Sequence, residues 1–293
     1  LAYVLHLGFA PALFLGRLAN LLLFAALAAL AGFAIRLYLL FSTPDYALAS
    51  TVQPLYSYSE LLMTVGAAAG LNILLKVLLN PGDEVIVFAP YFVEYRNYIA
   101  NYDGVTVVIP PDRASFQPDL QALAAAIKPR TRAVIIDSPN NPTGVIYSAE
   151  TLAALAGVLR AKSREFGQPI YLLSDEPYRE LAYDGTVVPW VPDFYENTAV
   201  CYSWSKSLSL PGERIGYLVL PDAMADAGLI QQAAAIAGRV LGFVNAPSLM
   251  QRVVARCVDE PAPVAVYAGN RTLLYEGLSA LGYHCVFPAG AFY

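Results

Sequence analysis

The sequence predicts an α/β protein: a mostly parallel β-sheet flanked by helices, followed by the start of a smaller α+β C-terminal domain. Three observations carry this. Short, continuous apolar runs recur between stretches of helical periodicity, as strands covered on both faces require. Polar clusters rich in Asp, Asn, Ser and Gly follow those runs, where an open α/β sheet carries its functional groups. Finally, 293 residues suffice for one large domain and part of a second.

The elements follow in order. Val65–Leu79 reads as a helix after a Gly-Ala-rich turn, stopped by Asn80-Pro81-Gly82-Asp83. Glu84–Ala89 is a short apolar strand, and Pro90 leads to another helix. Val105–Ile109 is the next strand and Asp119–Ile127 a helix. Ala133–Asp137 is a strand ending in the turn Ser138–Gly144. Ala149–Glu165 is amphipathic, and Ile170–Ser174 is a strand ending at Asp175. Thr198–Tyr202 and Ile215–Leu220 supply two further strands; the stretch between Asp222 and Asp259 is helical, and Tyr267–Leu281 is a helix leading into the smaller domain. The expected domains are an apolar segment over 1–58, a large domain over 59–258, and the beginning of a C-terminal domain over 259–293.

The first segment differs from the rest. Residues 1–41 carry only His6, Arg17 and Arg36 as titratable side chains apart from tyrosine, and residues 18–35 are free of charge. That length just spans a bilayer. Three readings stay open: a transmembrane or signal-anchor helix, a buried or interfacial helix of a soluble protein, or a segment translated from a wrong frame or wrongly joined. No basic start or small-residue cleavage site marks a signal peptide. The sequence begins at Leu1 and stops at Tyr293, just after an apparent strand start, as expected of a fragment.

Composition narrows the function. A formal net charge of −5 with no Lys/Arg cluster argues against a nucleic-acid binder. Two histidines and three scattered cysteines give little material for a metal site, a Ser-His-Asp triad or a disulfide framework, and free thiols fit a reducing, cytoplasmic compartment.

Five stretches could carry chemistry. Lys206 lies among hydroxyls in SWSKSLSLPGERIG (203–216), after an apolar strand. It is either a solvated surface lysine or a desolvated nucleophile that loses its charge in a Schiff base. Ser203, Ser205 and Arg214 beside it could bind an anionic phosphate. Asp175 is either a helix cap or a partner for a protonated pyridine nitrogen, with Tyr178 three residues on. In SPNNPTG (138–144), Asn141 could present an amide, although the stretch is also an ordinary turn. Ala67 and Ala68 follow Gly66 at a helix start, where backbone N–H groups attract phosphate or small residues merely pack. Phe92, after Pro90-Tyr91, could stack on a flat ring or fill a core.

Together, in order and spacing, TVGAAAGL, NPGDEVIVFAPYF, SPNNPTG, SDEPY, SWSKSLSLPGERIGY and PAGAFY resemble the fold-type I pyridoxal-phosphate enzymes, specifically the class I/II aminotransferases that include bacterial aspartate aminotransferases. The resemblance runs from about Leu61 to Tyr293. It implies pyridoxal 5'-phosphate as cofactor and transamination between an L-amino acid, aspartate among the candidates, and a 2-oxo acid. It implies that Lys206 forms the internal aldimine and moves the proton. Asp175 would face the ring nitrogen, Asn141 and Tyr178 the ring oxygen, and Phe92 the ring face. Ala67, Ala68, Ser203, Ser205 and Arg214 would hold the phosphate. A homodimer is implied as well. A C–S lyase of the same fold type shares these residues, and a truncated or membrane-tethered relative without turnover is a third reading. Residues 1–58 match neither the family's N-terminal arm nor its Tyr-containing segment, and Tyr56 and Tyr58 cannot be assigned to it. The arginine that binds the substrate carboxylate lies beyond PAGAFY in the family, so impaired activity is expected of these residues alone.

Overall fold

A computed structural model describes Tyr56, Ser57 and residues 60–293. The apolar run at 18–35 lies outside these residues. Among the described residues no helix is long and apolar enough to cross a membrane.

Seven strands form one sheet: β1 (Leu61–Thr64), β2 (Glu84–Phe88), β3 (Val105–Ile109), β4 (Thr131–Asp137), β5 (Tyr171–Asp175), β6 (Thr198–Ser203) and β7 (Gly216–Val219). Their order is β1-β7-β6-β5-β4-β2-β3. Strands β2 to β6 pair in parallel, while β7 runs antiparallel to both β6 and β1. The helices are α1 (Ala67–Leu78), α2 (Tyr95–Ala100), α3 (Leu120–Ala126), α4 (Ala149–Phe166), α5 (Ala227–Val240), α6 (Ser248–Cys257) and α7 (Val264–Ala280).

The apolar strand runs are continuous because both faces of the sheet are covered. Ala133 and Ile135 of β4, with Tyr171 and Leu173 of β5, pack toward α1 and α5. The alternate residues Val134, Ile136 and Leu172 pack toward α3 and α4. Successive side chains of a strand point to opposite faces, so each must find a partner layer.

Local sequence sets the helix limits. Leu71, Leu74, Leu75 and Leu78 form the buried stripe of α1, the spacing of a helix with one face in the core. Its stop is built by Asp83, whose carboxylate accepts the Asn80 N–H at 2.9 Å. Asp119 caps α3 by accepting the N–H groups of Gln121 and Ala122. Ser148 caps α4 at Thr151, and Gly167 ends that helix in the left-handed region at φ 65°.

Three expectations need correction. The strand β1 was not foreseen, because four residues, LLMT, give too short a run to show alternation. The helical stretch after Asp222 is two helices, broken where Gly242 takes φ 81° and Pro247 precedes α6. The end of the sequence, PAGAFY, is no strand. It makes one isolated bridge, Ala182 to Gly290, and is tied down where the Ala289 and Gly290 N–H groups both donate to the Gly144 carbonyl at 2.9 Å.

Candidate active site

The carboxyl ends of β4, β5 and β6 bring Asp137, Asp175 and Ser203 to one edge of the sheet. Asp175 is 6% exposed. Its Oδ2 accepts the Tyr95 hydroxyl at 2.7 Å, whereas its Oδ1 is buried without a partner. Burial pushes this carboxyl up to about 7; the Tyr95 hydrogen bond opposes that rise and Glu176 adds to it. Burial, with the nearby Asp175, also raises the Tyr95 phenol well above its usual range, so Tyr95 stays a donor. Phe92 stands edge-on to Tyr95, with ring centroids 5.6 Å apart.

The turn after β5 is held by side-chain bonds. Glu176 accepts from Ser174 Oγ at 2.7 Å and pairs with Arg179 at 2.7 Å. The Arg179 guanidinium lies over the Trp190 ring at 4.9 Å. That frame holds Tyr178, whose hydroxyl lies 3.3 Å from Asn141 Nδ2. Asn141 Nδ2 also donates to the Tyr293 hydroxyl at 3.0 Å, and the two phenol oxygens are 2.6 Å apart. An amide and a tyrosine thus converge on a phenol oxygen.

At the other side of the site, Gly66 caps α1 with φ 92°. A Cβ there would come within 2.9 Å of the Arg214 guanidinium, and one at Gly216 within 2.9 Å of Gly66 Cα. Gly216 is therefore needed for the close approach of β7 to the helix start, and Gly66 for its positive φ. Ser203 pairs in register with Gly216, which puts its buried side of the sheet next to the α1 start. Arg214 is anchored by the Pro211 carbonyl at 2.9 Å and the Val65 carbonyl at 3.3 Å. The first N–H groups of a helix have no intrahelical acceptor and favour an anion. A cation beside them makes the preference stronger.

Lys206 is half-buried, its ammonium 5.0 Å from the Phe292 ring centroid and 5.6 Å from that of Tyr178. Burial lowers its pKa first, and the Arg214 charge lowers it further.

Of the candidate residues, Asn141 and Tyr178 meet directly, while Phe92 and Asp175 are linked through Tyr95. Lys206 packs on Tyr178. Ser203 and Arg214 gather at the α1 start with Ala67 and Ala68; Ser205 is half-buried on the loop two residues beyond the end of β6. Sequence reasoning missed Tyr95, Asp137, Phe292 and Tyr293. Tyr95 offered one signal, its place three residues after Phe92 in a helix leaving a strand end.

Fold and site together define an open α/β protein with polar side chains gathered at the carboxyl ends of its parallel strands. The chain belongs to the class I and II aminotransferases, whose family profile matches residues 38–293. It is 37% identical over 243 residues to the probable aspartate/prephenate aminotransferase of Thermus aquaticus, a match covering 80% of this chain and 60% of that one. It is likewise 37% identical to the aspartate/prephenate aminotransferase of Thermus thermophilus, with the same coverage. Among solved structures, it resembles an amino transferase from Eubacterium rectale, with 48% identity and a TM-score of 0.80 over 82% of this chain and 61% of that one. It also resembles aspartate aminotransferase from Thermus thermophilus with maleate, with 32% identity and a TM-score of 0.68 over 80% and 61% of the two chains. The chain thus spans about 60% of the length of these curated relatives.

Members of this family use pyridoxal 5'-phosphate. The residues present fit it. The unpartnered Asp175 Oδ1 lacks a cationic donor, and the start of α1 at Gly66 lies against the Arg214 guanidinium.

Proposed function

We propose that this chain is a pyridoxal-phosphate-dependent aminotransferase acting between an L-amino acid, aspartate in the first instance, and a 2-oxo acid. The observation that carries the reading is the buried Asp175 carboxyl with its free Oδ1, held at the end of β5 by Tyr95. A buried carboxylate without a cation is costly unless a ligand supplies one.

Asp175 Oδ1 would meet the ring nitrogen, and a proton held there keeps the carboxylate charged. Asn141 Nδ2 and the Tyr178 hydroxyl would donate to the ring oxygen, as they converge on the Tyr293 phenol in this structure. The Ala67 and Ala68 amides, Ser203, Ser205 and Arg214 would hold the phosphate, and Phe92 would cover the ring face. When bound, the cofactor supplies an electron sink and the carbon that receives the amino group. Lys206 Nζ would be the nucleophile that holds the cofactor covalently, and its free amine would carry the proton at the substrate Cα. Its lowered pKa gives a larger neutral fraction for both tasks.

The exposed apolar residues of α5 to α7 support a homodimer as the working form, and three free thiols suit the cytoplasm. A dimer is read by sedimentation; a cofactor-loaded monomer with full turnover overturns it. The function is tested by visible absorption of the chain with pyridoxal phosphate, before and after L-aspartate. The expected result is a protein-bound band that bleaches as the pyridoxamine form appears. A band unmoved by L-aspartate and L-glutamate would reject transamination of these donors, and release of pyruvate with a thiol from a sulfur amino acid would assign the chain to C–S lysis.

A further inference from the structure

Asp137 has no part in the chemistry above, yet it places a second carboxyl group in the core. It ends β4 in direct register with Asp175 on β5 and is 3% exposed. Its Oδ2 accepts the backbone N–H of Asn141 at 2.8 Å, and its Oδ1 is buried without a partner. The ion pairs among the described residues leave it out. The groups that face it are one acid, Asp175, and three phenols: Tyr95 of α2, Tyr147 of the loop before α4, and Tyr178 of the turn after β5.

Two carboxyl groups side by side in a dry site do not both ionise. The two are not equivalent. Asp175 accepts a phenol O–H on one oxygen and offers the other to the site; Asp137 accepts a single amide N–H, and no phenol hydroxyl reaches it. We infer that Asp137 is a positioning residue that enters the fold as the neutral acid, with its Oδ2 fixing the Asn141 backbone and the negative charge of the pair left to Asp175. Burial and the neighbouring Asp175 raise the Asp137 carboxyl well above the usual range, in keeping with this division. The turn 138–144 is thereby fastened at its centre: Asn141 N–H on Asp137 orients the residue whose side-chain amide meets Tyr178. The functional meaning of that orientation rests on the role given to Asn141 above; the protonation state does not.

The test uses the full chain and three forms: parent, Asp137→Asn and Asp137→Ala. Asparagine copies the shape of the neutral acid and keeps an acceptor for the Asn141 N–H. Without cofactor, the gap in thermal stability between Asp137→Asn and the parent is expected to widen in favour of Asn as pH rises. A carboxyl whose folded pKa is raised favours folding below its unfolded value near 4 and loses that contribution as pH climbs toward the folded one. The expected loss approaches about tenfold in the folding equilibrium per pH unit within that window. A gap that stays constant from pH 5 to 8 would mean that Asp137 is ionised in the fold, and would overturn the inference. In a spectroscopic pyridoxal-phosphate titration, Asp137→Ala is expected to weaken binding about tenfold, the cost of leaving the half-buried Asn141 N–H without its acceptor, and Asp137→Asn to restore it. Equal affinity in the alanine form overturns the positioning role. If the parent binds no pyridoxal phosphate, the functional reading fails while the melting comparison still decides the protonation state.

Discussion

The sheet-packed region around α4 and the C-terminal region around α7 use apolar residues in opposite ways. In α4, Leu152, Leu155, Ala156 and Leu159 line one face and are buried against the sheet. In α7, with as many apolar residues, no residue is buried, and Leu273, Leu274 and Leu278 are exposed. The residues proposed to bind the cofactor sit in the first region, at and beside strand ends packed from both faces. Its remaining contributors, Phe292 and Tyr293, come from the second, fastened by backbone bonds to Gly144 and Leu181. A precise site needs rigid supports, so the packed region is expected to bind cofactor independently of what covers α7.

The largest expected effect is at Lys206. Replacing it with alanine would remove both the covalent hold and the proton carrier proposed for it, and the half-reaction with L-aspartate should slow by at least about 10²–10⁴-fold. Borohydride reduction followed by peptide mapping checks the assignment. A reduced cofactor still attached to the Lys206→Ala protein would point to another lysine. Cofactor contacts elsewhere in the packed region should survive, so weak, reversible pyridoxal-phosphate binding is expected to remain.

Next in size is Leu155→Ala. Leu155 is 0% exposed, and removing a buried leucine leaves a cavity that costs about 2–5 kcal/mol. Chemical denaturation measures it. A cost under about 1 kcal/mol would mean that the α4 face is as loosely held as α7, and the comparison would collapse.

Tyr95→Phe tests the site rather than the scaffold. The lost hydroxyl leaves Asp175 Oδ2 without its donor, at a cost of about 1–3 kcal/mol. The sign of the pH effect follows from the raised Asp175 carboxyl. Its contribution to folding is full below its unfolded value near 4 and is lost as pH rises toward about 7. Because the Tyr95 bond holds that carboxyl down, the phenylalanine form should titrate higher and lose stability over a window reaching further up in pH. Identical pH profiles for the two proteins without cofactor would show that Tyr95 does not control Asp175.

How much of this was readable beforehand follows the same division. The strand runs EVIVF and AVIID and the stop at Asn80–Asp83 act over a few residues, so the sequence shows them directly. Asn141, Asp175, Tyr178 and Lys206 were recognisable because each sits in a motif next to a strand end. Tyr95 and Asp137 were not, because their meaning comes from register: Asp137 matters through Asp175, 38 positions on and paired only in the sheet, and Tyr95 through the same carboxylate, 80 positions away. The strand β1 escaped because its four residues acquire identity only by pairing with β7. Tyr293 read as a strand residue until the Gly144 carbonyl was seen to bend the segment into the site.

The smallest effect is the most discriminating for the comparison. Leu274 on α7 is 63% exposed, and a surface substitution such as Leu274→Lys should change stability by no more than about 0.5 kcal/mol. Lysine is as good a helix former as leucine, so the helix itself gives no reason for a larger change. If the substitution instead costs as much as Leu155→Ala, the α7 face is covered in solution. Sedimentation then separates the causes: loss of a dimer on substitution would assign that cover to a second copy, and an unchanged monomer would assign it to the chain's own residues. If the cost is small and pyridoxal-phosphate affinity is unchanged, the cofactor half of the site stands on the sheet alone.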